Sequence, residues 1–134
     1  MTILVTDTGF SVDTWDQGYT PFGEAANDVI ALDVPSHINP ADITIIPSLK
    51  MIRIDFPSFA DGRGFTIARM LRLAGYKGRL RARGHVIADQ YAMARRTGFD
   101  EVEITQDLAA RQPQEQWQFR TDWKDNDYQA RMRG

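Results

Sequence analysis

At 134 residues, 43% hydrophobic and 25% charged, the chain reads as one globular domain, 1–134, able to bury a single core. It contains no cysteine, which excludes disulfides, thiol redox chemistry and iron–sulfur ligation by its own side chains. The net charge is −2 and the pI near 5.6, which argues against nucleic-acid binding, and no apolar run approaches the roughly 20 residues that span a bilayer.

The first elements are short. Residues 2–6 (TILVT) and 10–15 (FSVDTW) alternate apolar and polar about Asp7-Thr8-Gly9, so they predict a hairpin or two edge strands. The start lacks a basic region followed by a long apolar one, so no secretion signal is expected and the protein is read as cytoplasmic. Gly18, Pro21 and Gly23 break residues 16–28, and a strand is expected at 29–33 (VIALD). A short helix follows from Pro40 to about Leu49, with Asn39 as its cap and Pro40 at its first position, although Pro47 limits its regularity.

From Met51 the signals strengthen. MIRIDF (51–56) is a strand that stops at Pro57, and 66–74 places Ile67, Met70, Leu71 and Ala74 on one helical face, capped by Thr66 and ended by Gly75. RLRAR (79–83) alternates strictly, residues 88–98 form a second helix ending at Gly98, and EVEI (101–104) forms a third strand. These spacings predict an α/β fold: a small parallel βαβαβ sheet with an N-terminal hairpin and a C-terminal helical tail. The tail predicts a helix at 106–111 or 113–123, with Trp117, Phe119, Trp123 and Tyr128 covering the core or an interface.

Charge is unevenly spread. Residues 1–62 hold nine acids and two bases, 63–96 nine bases and one acid (Asp89), and 97–134 eight acids and five bases. The basic block is either a surface for an anionic partner or a set of arginines paired with the acidic flanks after folding.

In parallel α/β folds ligands lie beyond the carboxyl ends of the strands. Two loops qualify, 57–65 (PSFADGRGF) and 84–88 (GHVIA), and if their strands are neighbours Asp61, Arg63, Arg83, His85, Asp89 and Gln90 could converge on an anion. Gly62-x-Gly64 is neither a complete dinucleotide fingerprint, since position 67 is Ile, nor a Walker loop; two glycines in a tight turn explain it as well. Asp61, His85 and Asp89 are the acid–base candidates, and Asp61, Arg63, Arg81, Arg83 and Gln90 the ligand-binding ones. His85, placed just after a strand, is preferred over His37. Two isolated histidines predict no metal site, and no haem or iron–sulfur ligands are expected. Arg79, Arg81 and Arg83 share one strand face, so they sit at an edge, line a site or pair with carboxylates; for Arg81 a paired role is the default, with Asp55 or Asp89 as partner.

Taken together, Phe56-Pro57-x-Phe59-x-Asp61-Gly62-Arg63-Gly64, Leu71-Arg72, Gly75-Tyr76-x-Gly78-x-Leu80-Arg81-Ala82-x-Gly84-x-Val86, Asp89-Gln90 and Arg96-x-Gly98-Phe99-Asp100 resemble a bacterial family of unknown function encoded beside sulfite reductase. Its members carry labels as oxidoreductases of sulfite reduction. The resemblance is close over 51–104 and weaker at Asp7-x-Gly9-Phe10 to Trp15 and at Tyr128-Gln129. Where the family usually has serine this chain has Thr66, and where it usually has a second carboxylate it has His85.

The resemblance implies a role in assimilatory sulfite reduction, with sulfite reductase or an acidic electron-transfer protein as partner. No complete electron-carrier motif accompanies it, so an accessory role is expected ahead of an oxidoreductase activity of the chain's own. A small enzyme or binding module for an oxyanion or phosphorylated small molecule is the alternative. A homo-oligomer is a third reading, because a short parallel sheet often needs a second copy to cover it.

Overall fold

The structure, a computed structural model, describes residues 2–24 and 28–118. Seven strands form one mixed sheet in the order β2-β1-β7-β6-β5-β4-β3. They are β1 Thr2–Thr6, β2 Gly9–Ser11, β3 Thr20–Pro21, β4 Ala31–Val34, β5 Met51–Phe56, β6 Arg79–Gly84 and β7 Glu101–Thr105. Strands β3, β4, β5, β6 and β7 run parallel to one another, and β1 runs antiparallel to both β2 and β7. The sheet is therefore larger and more mixed than the three-stranded unit that local pattern suggests.

Helices α1 (Arg63–Leu73) and α2 (Tyr91–Thr97) make the crossovers β5 to β6 and β6 to β7. Strand order advances in one direction through these units, so right-handed crossovers put both helices on one face. That face carries Leu32, Ile52 and Leu80 in one register row and Val34, Ile54, Ala82 and Val102 in the next. Phe65, Ile67, Ala68 and Leu71 of α1 and Tyr91 and Ala94 of α2 complete the core. Burying each large aliphatic side chain contributes on the order of 1.5–3 kcal/mol, so this face is the main source of stability.

The C-terminal part forms α3 (Gln106–Arg111) and α4 (Gln114–Gln118). Trp117 is fully buried, its ring edge-on to Tyr91 and its indole N–H donating to the Gln112 carbonyl at 2.9 Å. Phe119, Trp123 and Tyr128 lie outside the described residues.

Three local expectations are corrected. The strand expected over 10–15 ends at Ser11, because Asp13 turns away from the ladder to reach Arg81. The helix expected over 40–49 is a single 3-10 turn, Pro40–Asp42, after which Ile43 is extended. Asn39 does cap it, accepting from the Ala41 N–H at 3.0 Å. Helix α1 begins at Arg63 rather than at Thr66, because the Asp61 carboxylate accepts the Arg63 N–H and starts the helix three residues earlier.

Candidate functional site

The carboxyl edge of the parallel strands is built from the loops after β4, β5 and β6. In the loop after β5, the Asp61 N–H donates to Ser58, closing a turn that brings the Asp61 side chain back over Arg63. Asp61 Oδ1 accepts from the backbone N and Nε of Arg63 at 3.1 and 2.9 Å. Its Oδ2 accepts from Arg63 Nη2 at 2.7 Å and from the Ser36 hydroxyl at 3.0 Å, and Arg63 Nη2 also donates to Ser36 Oγ at 3.2 Å. The Arg63 side-chain bonds, followed by its backbone N–H, hold the Asp61 carboxyl far below the usual carboxylate range. A carboxylate so saturated with donors is a poor proton carrier near neutral pH, and its bonds hold the Arg63 guanidinium in place. Arg63 remains 60% exposed and borders a hollow of about 220 Å³ shared with Ser36, His37 and Thr66.

The two glycines of this loop have different roles. Gly62 has φ −91° and open space where a Cβ would stand, with only a Phe65 ring atom at 3.9 Å. A Cβ on Gly64 would lie 2.5 Å from the Phe56 ring, so α1 packs onto the end of β5 only because that position lacks a side chain.

The loop after β6 meets the loop after β5. The His85 N–H donates to the Phe56 carbonyl at 2.9 Å, and its exposed ring sits edge-on to Phe59 with centroids 5.1 Å apart. Gln90 accepts from the Ile87 N–H and donates to the Phe59 carbonyl, each at 3.0 Å, and so ties the loops together. Asp89 is exposed on the same 3-10 turn, Ala88–Gln90. The expected convergence of all six side chains does not occur; of them, Arg83 and His85 border a common hollow. Asp61 and Arg63 bond to each other and to Ser36, Gln90 is occupied by backbone groups, and Arg81 and Arg83 belong to the opposite face of the sheet.

That opposite face is ionic. Asp33, Arg53, Arg81 and Glu101 occupy one register row across β4, β5, β6 and β7, and Asp55, Arg83 and Glu103 occupy the next on β5 to β7. Arg81 is fully buried, bonding Asp13 at 2.8 and 3.0 Å, Glu101 at 2.9 Å and Glu103 at 2.8 Å. Its partners are thus Asp13, Glu101 and Glu103, not Asp55 or Asp89, because register sets Glu101 opposite it and the loop after β2 lays Asp13 over it. Such enclosure leaves Arg81 no donor for a ligand, which corrects its assignment as a ligand-binding residue. The Arg81 hydrogen bonds lower the Asp13 carboxyl below its ordinary value. Arg53 spans Asp33, at 2.7 and 2.8 Å, and Glu103, at 3.2 and 3.3 Å, with the Tyr19 ring stacked 3.6 Å away. Arg79 pairs with Glu101, Arg72 with Asp100 and Arg95 with Asp7.

Most of the basic block is therefore neutralised by carboxylates from both acidic flanks. Arg63, Arg69, Lys77, Arg83 and Arg96 stay exposed. Two hollows adjoin Asp55 and Arg83 on the ionic face: one of about 280 Å³ walled by Pro21, Phe22, Asp33, Val34 and Pro35, another of about 290 Å³ toward His85 and Thr105. Sequence reasoning did not single out Ser36, Asp13 or Tyr19. Only Ser36, set between Pro35 and His37 after a strand, had a local cue, since the other two act through contacts distant in the chain. Among the described residues no group of three or more His, Cys, Asp or Glu is placed to hold a metal ion, and no helix is long and apolar enough to cross a membrane.

These features define a two-layer α/β protein: helices on one face of a mixed sheet, an ion-pair network centred on buried Arg81 on the other, and exposed loops at the carboxyl edge. The chain belongs to DUF934, a bacterial protein family of unknown function whose sequence model matches residues 29–134. No curated protein and no solved structure matches it.

Proposed function

We propose that this protein serves assimilatory sulfite reduction as an accessory to sulfite reductase or to the acidic protein that supplies its electrons. The link to sulfite reduction rests on the residue series between Phe56 and Asp100, which lies wholly inside the family match. The observation that carries a docking role is the outward side of α1. There Met70 and Leu73, 48% and 70% exposed, lie among exposed Arg69, Arg63 and, just past the helix, Lys77. An apolar patch ringed by basic groups suits an acidic partner: the charges speed and orient the encounter, and salt weakens it.

Pull-down from sulfate-grown cells at low salt should recover the reductase or its donor, and Arg69→Glu with Lys77→Glu should abolish recovery. A deletion strain should grow on cysteine and poorly on sulfate. Recovery of neither protein, together with normal growth on sulfate, would remove this reading.

A second reading, an oxyanion or phosphorylated small molecule at the carboxyl edge, is favoured by one feature. Arg63 is pre-oriented by Asp61 and Ser36 beside the hollow that it borders. Calorimetry with sulfite, sulfate, phosphate and adenosine phosphosulfate tests it. Equal binding by Arg63→Ala would show that the loop is not the site.

A further inference from the structure

The ionic face is not electrically balanced. Its guanidinium groups are Arg53, Arg79, Arg81 and Arg83; its carboxylates are Asp13, Asp33, Asp55, Glu101 and Glu103. One carboxylate is left over, and the contacts identify it. Asp33 is held by Arg53, Asp13 by Arg81, Glu101 by Arg79 and Arg81, and Glu103 by Arg53, Arg81 and Arg83. Asp55 has no partner among the described residues, although Arg83 is its register neighbour on the adjacent strand, about 4.8 Å away. Arg83 is turned instead toward Glu103, where Nε lies 3.5 Å from Oε2, beyond the usual N–H···O range of roughly 2.7–3.2 Å. The terminal nitrogens of Arg83 have no partner among the described residues, and its side chain is 47% exposed.

An unpaired acceptor thus stands beside a guanidinium whose terminal donors are unused, and the two hollows open on either side of them. The surplus negative charge disfavours a simple oxyanion here and calls for a ligand that brings a cation. The idle donors of Arg83 call for an anionic group on the same ligand. Hollows of about 280 and 290 Å³ sit just below the range of roughly 300–1,000 Å³ for small-molecule sites, so the ligand is small. We propose that Asp55 and Arg83 bind a zwitterion of the α-amino-acid type, ammonium on Asp55 and carboxylate on the Arg83 terminal nitrogens. The side chain would then lie against Pro21, Phe22 and Pro35. Gly84 fixes the strand end that carries this pair: at φ +109° it lies so close to β5 that a Cβ would come 2.8 Å from the Phe56 carbonyl oxygen.

Calorimetry on the full chain with the free L-amino acids, each to about 10 mM so that a millimolar site is seen, reads the proposal directly. Saturable binding of at least one amino acid is expected. Its decarboxylated amine and its deaminated acid should each bind about tenfold or more weakly, the worth of one charged hydrogen-bonded contact. Asp55→Asn and Arg83→Gln should each lose a similar factor. Both groups are peripheral to the buried network, so circular dichroism of the variants should match the parent. No saturable amino acid, equal affinity for the amine alone, or undiminished binding by Asp55→Asn would each overturn the assignment. Because Arg63 and Lys77 lie outside this site, their variants should leave amino-acid binding unchanged, which separates its failure from failure of the docking or oxyanion readings.

Discussion

Arg81→Met removes the centre of the ion-pair network while keeping a long side chain in its place. Arg81 is 0% exposed and donates to three carboxylates, of which Glu101 and Glu103 are themselves almost fully buried and Asp13 is 27% exposed. After substitution Asp13 can turn to water, Glu101 keeps Arg79, and Glu103 keeps Arg53 and the loose contact to Arg83. The face then holds three guanidinium groups against five carboxylates. Removing one partner of a buried pair costs about 3–5 kcal/mol, and the retained arginines place this case near about 3 kcal/mol. That is a large part of the roughly 5–15 kcal/mol that a domain possesses. In urea at pH 7, with a slope of about 2 kcal/mol per molar, the midpoint should fall by about 1.5 M. Adding Glu103→Gln should recover part of the loss, because the second change removes a carboxylate left short of donors. A midpoint shift under about 0.5 M at unchanged slope would refute the reasoning, since it would mean that the buried carboxylates do not depend on Arg81.

Three further outcomes are expected. Gly64→Ala should lower stability by about 1–3 kcal/mol by driving a Cβ into the Phe56 ring, despite the helix-propensity gain, whereas Gly62→Ala should be near neutral; thermal melts of the two variants decide it. Asp13 and Asp61 have folded-state pKa values below the unfolded value near 4, so the stability they contribute is complete above about pH 4–5 and is lost as pH falls through their folded values. Denaturation midpoints measured from pH 6 to 2 should show that loss, and it should shrink in Asp13→Asn. Burial, and then the hydrogen bond to Asp7, raise the Tyr91 hydroxyl well above its ordinary value near 10. Its contribution is therefore present below about pH 10 and lost above it, and Tyr91→Phe should flatten the alkaline limb of the stability profile.

The parts of the fold that could be read from the chain are those set by local rules. Alternation in MIRIDF and RLRAR, the apolar periodicity of 66–74, and Gly98 at φ +119° after α2 each depend on a few adjacent residues, and the elements stand close to where the pattern puts them, although of the stripe Ile67, Met70, Leu71 and Ala74 only Ile67 and Leu71 are buried. Boundaries failed where a distant contact intervened. Asp13 leaves the ladder for Arg81, 68 positions away, and Asp61 starts α1 at Arg63. The site was legible as two loops but not as a set of contacts. Gln90 and the Phe59–His85 ring contact do join those loops, yet Ser36 claims Asp61 and Arg63 from a third loop.

Composition and periodicity are enough to read an α/β core, strand and helix in turn over 51–104, and bases concentrated between two acidic stretches. Periodicity and composition are local quantities and need no partner. Which charges meet depends on the folded arrangement. Strand register sets Glu101 opposite Arg81 and Asp55 opposite Arg83, and one residue of slip would send every one of these side chains to the helix-covered face. Folding also paired most of the basic block with carboxylates and left Asp55 unpaired, because an ion pair depends on distance in space, and the partners of Arg81 come from as far away as the loop after β2.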